Sequence, residues 1–287
     1  MTRKFVSQFV AGAVVVLLSQ QAAFGQTAPK PALPEAAIED NSFLIEEAFN
    51  QGPGIVQHIN TLSRSLDGSR SMVYMLTQEW PMPNLSHQLS YSVPASSLDR
   101  GASRGVGDAM LNYRYNVPHL GERLFVTPRA SISLPTGNTA RNLGLGTAAV
   151  QFNLPVSLRI SKEVIAHGNL GTTYALQQTG LLSNSGLINR NVASFNVGGS
   201  VIAPVTLPVQ GVLEYVTNLA GSINEQGEVV REAEHILNPG LRFAINTRAM
   251  QIVPGLSVML DLKRPSEPRG LFFYLSLEHA FRAVGRN

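Results

Sequence analysis

Apolar and polar residues alternate at every second position along most of this chain. In residues 108–117, for example, Leu111 and Tyr113 fall on one face, whereas Asn112 and Arg114 fall on the other. A period of two is that of a β-strand, in which successive side chains point to opposite sides. The pattern recurs about twelve times, which predicts an all-β fold of about twelve strands.

The predicted strands are joined by connections of two kinds. Longer, polar and glycine-rich stretches alternate with short ones, and the longer ones are 65–71, 94–104, 135–144, 177–191 and 220–234. An even strand number, with long loops at one end and tight turns at the other, is typical of bacterial outer-membrane barrels. The sequence therefore predicts a transmembrane antiparallel up-and-down β-barrel over residues 54–282, with both termini in the periplasm.

The two faces of each predicted strand have opposite environments in such a barrel. A spanning sheet must close on itself because each unpaired backbone group costs several kcal/mol in lipid, so the apolar face points to lipid and the polar face lines a lumen. The candidate lumen-lining residues are Asp108, Asn112, Arg114, Arg129, Glu214, Arg242, Asn246 and Glu278. Both charge signs occur among them, which suits an internal ion-pair network as well as a selectivity lining. The strand number does not decide between an open and a blocked lumen.

Prolines interrupt the alternation in several predicted strands. A proline cannot donate to a strand ladder, so we expect bulges or displaced strand ends at these positions. They are Pro128, Pro155, Pro204, Pro239 and Pro254. The alternative fold is a β-sandwich in which the apolar faces meet between two sheets.

The N-terminus has the features of an export signal. Arg3 and Lys4 precede an apolar run, and small residues before Gln26 predict a cleaved signal peptide over residues 1–25. Residues 26–53 are predicted to form a periplasmic linker with a short helix, capped at residues 40–42 and running from Phe43 to Phe49. Its role is either a periplasmic cap or a segment packed against the barrel. Residues 283–287 form a C-terminal tail.

Composition narrows the classes of function. Of the 287 residues only 14% are charged, against roughly a quarter in average soluble chains, and none is cysteine. These values exclude disorder, a disulfide framework, thiolate metal sites and cysteine catalysis. The formal charge of +3 becomes 3 − 2 = +1 once Arg3 and Lys4 leave with the signal peptide, which argues against a nucleic-acid partner.

Candidate catalytic and cofactor motifs find no structural context in the predicted strands. Residues 144–149 match a variant dinucleotide fingerprint, but alternating strand residues follow where a helix is needed. Ser86 and His87 are adjacent, so their side chains point to opposite strand faces. The histidines show no paired metal spacing on one face, and they are His58, His87, His119, His167, His235 and His279. Polar pairs on one strand face at 58/60 and 167/169 suggest hydrogen bonding in the lumen. We predict no catalytic residue, metal or cofactor.

Four short motifs resemble a known family. Residues 107–115 (GDAMLNYRY), 131–138 (SISLPTGN), 143–147 (LGLGT) and 167–171 (HGNLG) resemble, in order and spacing, outer-membrane barrels labelled for the meta-pathway of phenol degradation. The resemblance covers most of the chain after the linker. It implies an outer-membrane barrel that passes small hydrophobic or aromatic compounds.

The expected function is therefore a porin-like, non-enzymatic channel or transporter in the bacterial outer membrane. It would pass small, hydrophobic or aromatic solutes by passive diffusion. Its expected partners are outer-membrane lipid, the solute, and the outer-membrane assembly machinery, which would recognise an aromatic residue near the C-terminus such as Phe281. One alternative is a structural or docking barrel whose lumen is blocked by its own ion pairs or by residues 43–49. A lipid hydrolase is a weaker alternative.

Overall fold

The computed structural model describes residues 40–118, 120–183, 186–206, 208–263 and 268–280. The predicted signal peptide, residues 26–39, Phe281 and the C-terminal tail lie outside these ranges. In the described part of the chain, no helix has the length and apolar character needed to span a membrane.

Most described residues after Gly54 belong to one antiparallel sheet. Its strand segments within the described ranges are β1 (Ile55–Ser65), β2 (Met72–Pro81), β3 (His87–Leu98), β4 (Ser103–Val106), β5 (Ala109–Tyr115), β6 (Leu124–Val126), β7 (Arg129–Leu134), β8 (Ala149–Arg159), β9 (Ile165–Leu181), β10 (Leu187–Thr206), β11 (Val209–Ile223), β12 (Val229–Phe243), β13 (Ile245–Asn246), β14 (Met250–Asp261) and β15 (Pro268–Ala280).

The sheet closes into a barrel. Each barrel strand pairs with the next one along the chain, and β1 pairs with β15 along its whole length, from Ile55 opposite Ala280 to Ser65 opposite Gly270. Three barrel strands are each built from two segments, because β4 and β5 both pair with β3, β6 and β7 both pair with β8, and β12 and β13 both pair with β14. Counted over the described residues, the barrel has twelve strands. The predicted fold is confirmed.

The apolar faces of the strands point outward. Phe152 is 58% exposed, Leu170 61% and Leu241 53%, although all three lie within strands. A water-soluble β-sandwich would bury these side chains between its sheets, so the sandwich alternative is wrong. The exposed apolar wall on a closed sheet is that of a transmembrane barrel.

Prolines mark some of the irregular points of the sheet, as predicted. Pro128 separates β6 from β7, the β10–β11 register shifts beside Pro204, and the β12–β14 pairing skips Pro239. Pro155 and Pro254 stand in continuous registers. The carbonyl of Pro155 accepts a hydrogen bond from the amide of Thr127, 3.0 Å away, so this junction keeps its backbone pairing.

Three predicted loops are largely strand. The stretch 94–104 was expected to be a loop, but β3 continues to Leu98 and β4 begins at Ser103. The stretches 177–191 and 220–234 were also expected to be loops, but β9 continues to Leu181, β10 begins at Leu187, β11 continues to Ile223 and β12 begins at Val229. Cross-strand pairing continues in the β9–β10 hairpin to Leu181 opposite Leu187 and in the β11–β12 hairpin to Ile223 opposite Val229. We call this end of the barrel extracellular and the end with the short turns periplasmic, following the usual arrangement of outer-membrane barrels.

Candidate functional site: the barrel lumen and the segment inside it

Polar side chains cover the inner wall of the barrel in its periplasmic part. They are buried although most are amides, hydroxyls or charged groups. Representative members with relative exposures of 9% or less are Gln57, Glu79, Gln88, Asn112, Arg114, Asn153, Ser157, His167, Asn169, Ser200, Gln210, Glu214, Asn238, Arg242, Gln251 and Ser276. Buried polar groups need hydrogen-bond partners, so something other than bulk water must satisfy this wall.

The partner is the chain's own N-terminal stretch. Residues 40–51, which we call the lumen segment, run through the barrel interior as irregular backbone with bends. Ala48 and Ser42 are fully buried, and Phe43, Ile45 and Phe49 are nearly so. The short helix predicted from Phe43 to Phe49 is wrong: the backbone amides and carbonyls that a helix would pair internally are bound by the barrel wall instead. Residues 40–51 were also predicted to belong to a periplasmic linker, and the structure places them inside the barrel instead.

Glu214 holds the centre of the lumen segment. Its Oε1 accepts hydrogen bonds from the amides of Phe43 and Ile45 at 2.8 and 3.1 Å, and the amide of Leu44 contacts both carboxylate oxygens at 3.0 and 3.1 Å. Asn238 Nδ2 donates to Oε2 at 2.7 Å. Three successive amides on one carboxylate form an anion-binding concavity, and such charge-assisted bonds are stronger than neutral ones.

Side chains of β8 and β9, together with Thr127, bind the second half of the segment. The amide of Glu46 donates to Asn169 Oδ1 at 2.9 Å, and the amide of Ala48 donates to Ser157 Oγ at 2.7 Å. Thr127 Oγ1 donates to the carbonyl of Ala48 at 2.7 Å. The wall thus supplies the acceptors and donors that irregular backbone lacks, which is why such backbone can be buried here.

Asp40 anchors the start of the segment. Its Oδ1 accepts hydrogen bonds from Gln57 Nε2 at 2.7 Å and Tyr274 Oη at 2.5 Å. Arg242 donates to the carbonyls of Asp40 and Asn41 at 3.1 and 2.5 Å. Burial raises the pKa of the Asp40 carboxyl above its usual value, and the charge of Arg242 opposes that rise.

Two glycines of the barrel wall make room for the segment. A Cβ on Gly240 would lie 2.5 Å from the Phe43 ring, and a Cβ on Gly255 would lie 2.4 Å from the same ring. The ring also meets Phe272 and Tyr274, with centroids 6.1 and 5.9 Å apart. The wall has a cavity shaped for Phe43, so the lumen segment is seated rather than loosely enclosed.

Two cavities adjoin the lumen segment, and Leu44 and Glu46 line both. One has a volume of about 200 Å³ and the other about 460 Å³. Arg129 also borders both, with Nη2 2.9 Å from Glu46 Oε1 and 2.6 Å from Gln151 Oε1. The segment is therefore part of the boundary of the remaining space in the lumen.

Most of the predicted lumen residues lie on the inner wall. Asn112, Arg114, Arg129, Glu214 and Arg242 point inward, and all but Asn112 bind the lumen segment through hydrogen bonds or ion pairs. Asn112 donates to Ser90 and Ser92 and accepts from Arg129. By strand alternation Glu278 shares the inward face of Ser276 in β15.

Asp108 and Asn246 have other positions. Asp108 precedes β5 at the extracellular end, where its carboxylate accepts the amides of Gly137 and Leu145 at 2.8 and 2.7 Å and so braces a loop. Asn246 ends β13 at the periplasmic rim, where it is exposed and accepts a hydrogen bond from Gln251. Alternation within a strand cannot place either, because each stands at the end of a segment.

Arg114 is expected to be one of the main stabilising residues of the inner wall. It donates to the carbonyl of Glu47 and lies 3.8 Å from Glu79, with both side chains buried. Arg114→Ala is expected to lower the free energy of unfolding by about 3–5 kcal/mol, because it leaves a buried carboxylate without its ion pair. Urea unfolding in detergent micelles measures this.

The control for Arg114 is Arg123→Ala at an exposed site beside β6, which should leave the urea midpoint unchanged. Adding Glu79→Gln to Arg114→Ala should recover part of the loss by removing the stranded charge. Equal midpoints for wild type and Arg114→Ala would contradict the assignment.

Sequence analysis did not single out three further residues of the inner wall. Glu79, Gln57 and Asn238 bind or support the lumen segment, and each sits at an inward position of a predicted strand. Strand alternation was the available signal for them. His167 and Asn169 do face the lumen. The pair at 58/60 lies on the outer wall, because the alternating positions Gln57 and Ile59 are the inward residues of β1.

The geometry does not provide a hydrolase site at the candidates considered. His87 is on the outer wall with Nδ1 2.6 Å from Tyr113 Oη. Ser157 and His167 form a buried pair at 2.7 Å, but Ser157 Oγ is bound to the amide of Ala48. Within the described ranges, no group of three or more His, Asp or Glu side chains is arranged to hold a metal. The absence of enzymatic activity stays a prediction.

Comparison with known proteins supports the fold. No protein-family model and no curated protein sequence matches the chain. Among solved structures, an outer membrane channel from Pseudomonas putida F1 is similar with a TM-score of 0.58 at 15% identity, covering 88% of this chain and 100% of that one. The NanC porin matches with a TM-score of 0.49 at 9% identity, covering 79% and 100% of the two chains.

The structural neighbours are outer-membrane porins and channels, and identities this low establish the fold alone. The meta-pathway label is not confirmed by them. Closed sheet, outward apolar wall and polar interior are the features of a bacterial outer-membrane barrel, so the predicted location in the outer membrane is confirmed. Over the described residues, the chain forms a twelve-stranded barrel of the outer-membrane type, and residues 40–51 of the same chain lie in its lumen.

Proposed function

We propose that the protein is an outer-membrane channel for passive diffusion of small solutes, and that the lumen segment must be displaced for solute to pass. The observation that carries this proposal is the hydrogen-bonded seat of residues 40–51 within a polar barrel interior. The hydrogen bonds between the segment and the wall side chains can be exchanged for hydrogen bonds to water, because every polar group released would face a hydrated lumen.

The solute class that we propose is small aromatic compounds that carry a polar or charged group. The smaller cavity has an apolar side, with Phe43, Ile59 and Tyr274. Its charged side carries Arg114 and Arg129, which are paired with Glu79 and Glu46. A solute with one face of each kind would exchange its hydration shell for matched contacts. The proposed solute class keeps the aromatic character expected from the sequence and adds a polar group that can bind the charged side of the cavity.

A plugged structural or docking barrel is the second candidate. The extent of the contacts between the lumen segment and the wall favours it, since Asp40, Glu46 and Ala48 all bind different strands. In that case the segment would be a permanent part of the barrel core, and no solute would cross. No covalent chemistry belongs to either candidate.

Solute flux into liposomes tests the channel. The full mature chain, reconstituted in liposomes, is expected to admit benzoate faster than a neutral sugar of similar size, and both faster than empty vesicles. Equal flux of the two solutes would remove the aromatic part of the proposal. Flux no greater than that of empty vesicles would remove the channel and leave the plugged barrel.

A reversible lock separates the two candidates further. Ser42 Oγ and Ser200 Oγ are 2.6 Å apart, and the chain has no cysteine of its own. We expect Ser42→Cys with Ser200→Cys to form a disulfide that abolishes flux, and a reductant to restore it. Either single substitution is the control and should behave as wild type. Unchanged flux through the oxidised double variant would show that solute passes without displacement of the segment.

A further inference from the structure

Two histidines meet on the outer wall where the barrel closes. His58 belongs to β1 and His279 to β15, and they are diagonal neighbours on one face because Val56 pairs with His279 and His58 pairs with Leu277. Their Nε2 atoms are 3.1 Å apart. The ring planes are 21° apart with centroids separated by 5.2 Å, so the two Nε2 edges face each other.

The tautomer of one ring is fixed by the backbone. His279 Nδ1 lies 2.9 Å from the carbonyl oxygen of Ala280. A carbonyl only accepts, so Nδ1 carries the proton and, in the neutral ring, Nε2 of His279 offers a lone pair toward His58. A backbone carbonyl on the far nitrogen is also the usual means by which proteins orient a metal-binding imidazole.

We propose that His58 and His279 bind one divalent transition-metal ion of the class that prefers imidazole nitrogen, Cu²⁺, Ni²⁺ or Zn²⁺, with water in the remaining positions. Two metal–nitrogen bonds of about 2.0–2.1 Å at a tetrahedral angle place the nitrogens about 3.3 Å apart. The observed 3.1 Å separation needs a change of a few tenths of an ångström. The rings must also turn so that both Nε2 lone pairs point at the ion instead of at each other, and His58 must carry its proton on Nδ1. Rotation about the side-chain bonds and a change of tautomer provide both.

The pair is accessible from the periplasmic side. His279 stands opposite Met250, the first residue of β14, and one position before the end of β15. Both imidazoles are partly exposed. The polar side chain opposite His58 on β2 is Gln78, whose Oε1 accepts a hydrogen bond from Tyr91.

A bound ion would join the first and last strands of the barrel. A ligand that binds the folded state and not the unfolded one raises stability in proportion to the logarithm of its concentration. Because the ion bridges the closing seam, the temperature at which the folded barrel converts to the unfolded form should rise with metal concentration. The inference is independent of the proposed channel activity.

Copper binding by the full mature chain, purified without a polyhistidine tag and stripped of metal with a chelator, tests the site. We expect one equivalent of Cu²⁺ per chain and an electron paramagnetic resonance spectrum with hyperfine splitting from two nitrogens. Loss of an outer-shell partner typically weakens metal binding by about 10–100-fold, so His58→Ala or His279→Ala should weaken it at least as much.

His235→Ala is the matched control, because His235 is also on the outer wall but is stacked on Tyr215. It should bind Cu²⁺ as wild type does, and a gel comparing unheated and heated samples should show that each variant is folded. Copper should raise the unfolding temperature of wild type and His235→Ala but not of the two site variants. The proposal would be overturned if the folded double variant, His58→Ala together with His279→Ala, bound Cu²⁺ as wild type does. It would also be overturned if wild type bound no Cu²⁺.

Discussion

Deletion of residues 40–51 is expected to convert the reconstituted barrel from a closed state to a stable open pore. The segment bounds both cavities that adjoin it and occupies the periplasmic part of the lumen. Its removal leaves polar wall side chains that water can solvate, so the barrel should still fold. We expect the single-channel conductance in a planar bilayer to rise by about tenfold or more.

The control for the deletion is a replacement of the same length. A Gly/Ser-rich stretch in place of residues 40–51 keeps the chain connection but removes every side-chain contact, and it should also give the open level because flexible linkers bind nothing. A folded deletion variant with wild-type conductance would show that the lumen is blocked elsewhere, and the gating role of the segment would be abandoned.

Glu214→Ala is expected to have the second largest effect. The Glu214 carboxylate accepts the amides of Phe43, Leu44 and Ile45, and each lost acceptor for a buried donor costs about 1–3 kcal/mol. Water recovers part of this once the segment moves. A net loss of about 2–3 kcal/mol would raise the open fraction by about 30–150-fold.

Single-channel recording measures that fraction directly. Glu234→Gln is the matched control, because Glu234 also lines the larger cavity but pairs with Arg269 and not with the segment. It should alter ion selectivity slightly and leave the open fraction unchanged. If Glu214→Ala and Glu234→Gln have the same open fraction, the hydrogen bonds from the lumen segment to Glu214 do not stabilise the closed state.

The local pattern of the sequence was enough for most of the strands and for the faces of their regular stretches. Leu111 and Tyr113 point outward and Asn112 and Arg114 inward, as alternation predicts, because the direction of a side chain in a strand depends only on its neighbours along the chain. The same reasoning was insufficient at strand ends. Asp108 and Asn246 fit the alternation, but Asp108 binds loop amides and Asn246 lies at the periplasmic rim. Alternation did not place them because it does not specify where strand pairing stops.

The lumen segment shows a different limit. Phe43, Leu44, Glu47 and Phe49 are spaced as in a short amphipathic helix, and residues 40–42 resemble a cap. Propensity over so few residues is weak, and the inward amides, carboxylates and hydroxyls of several strands offered the backbone more hydrogen bonds than a single helical turn could. Of the sequence-based alternatives, the barrel with its lumen blocked by residues 43–49 was the one that placed this segment inside the barrel.

The sequence by itself determined that this chain is a β-barrel with an apolar exterior, because a period of two and the alternation of long and short connections are properties of neighbouring residues. Only the tertiary structure decided which distant residues meet. Glu214 reaches amides about 170 positions earlier, and His58 meets His279 across 221 positions. Both contacts exist because the sheet closes, and the free energy of closure belongs to the whole sheet rather than to any stretch of it.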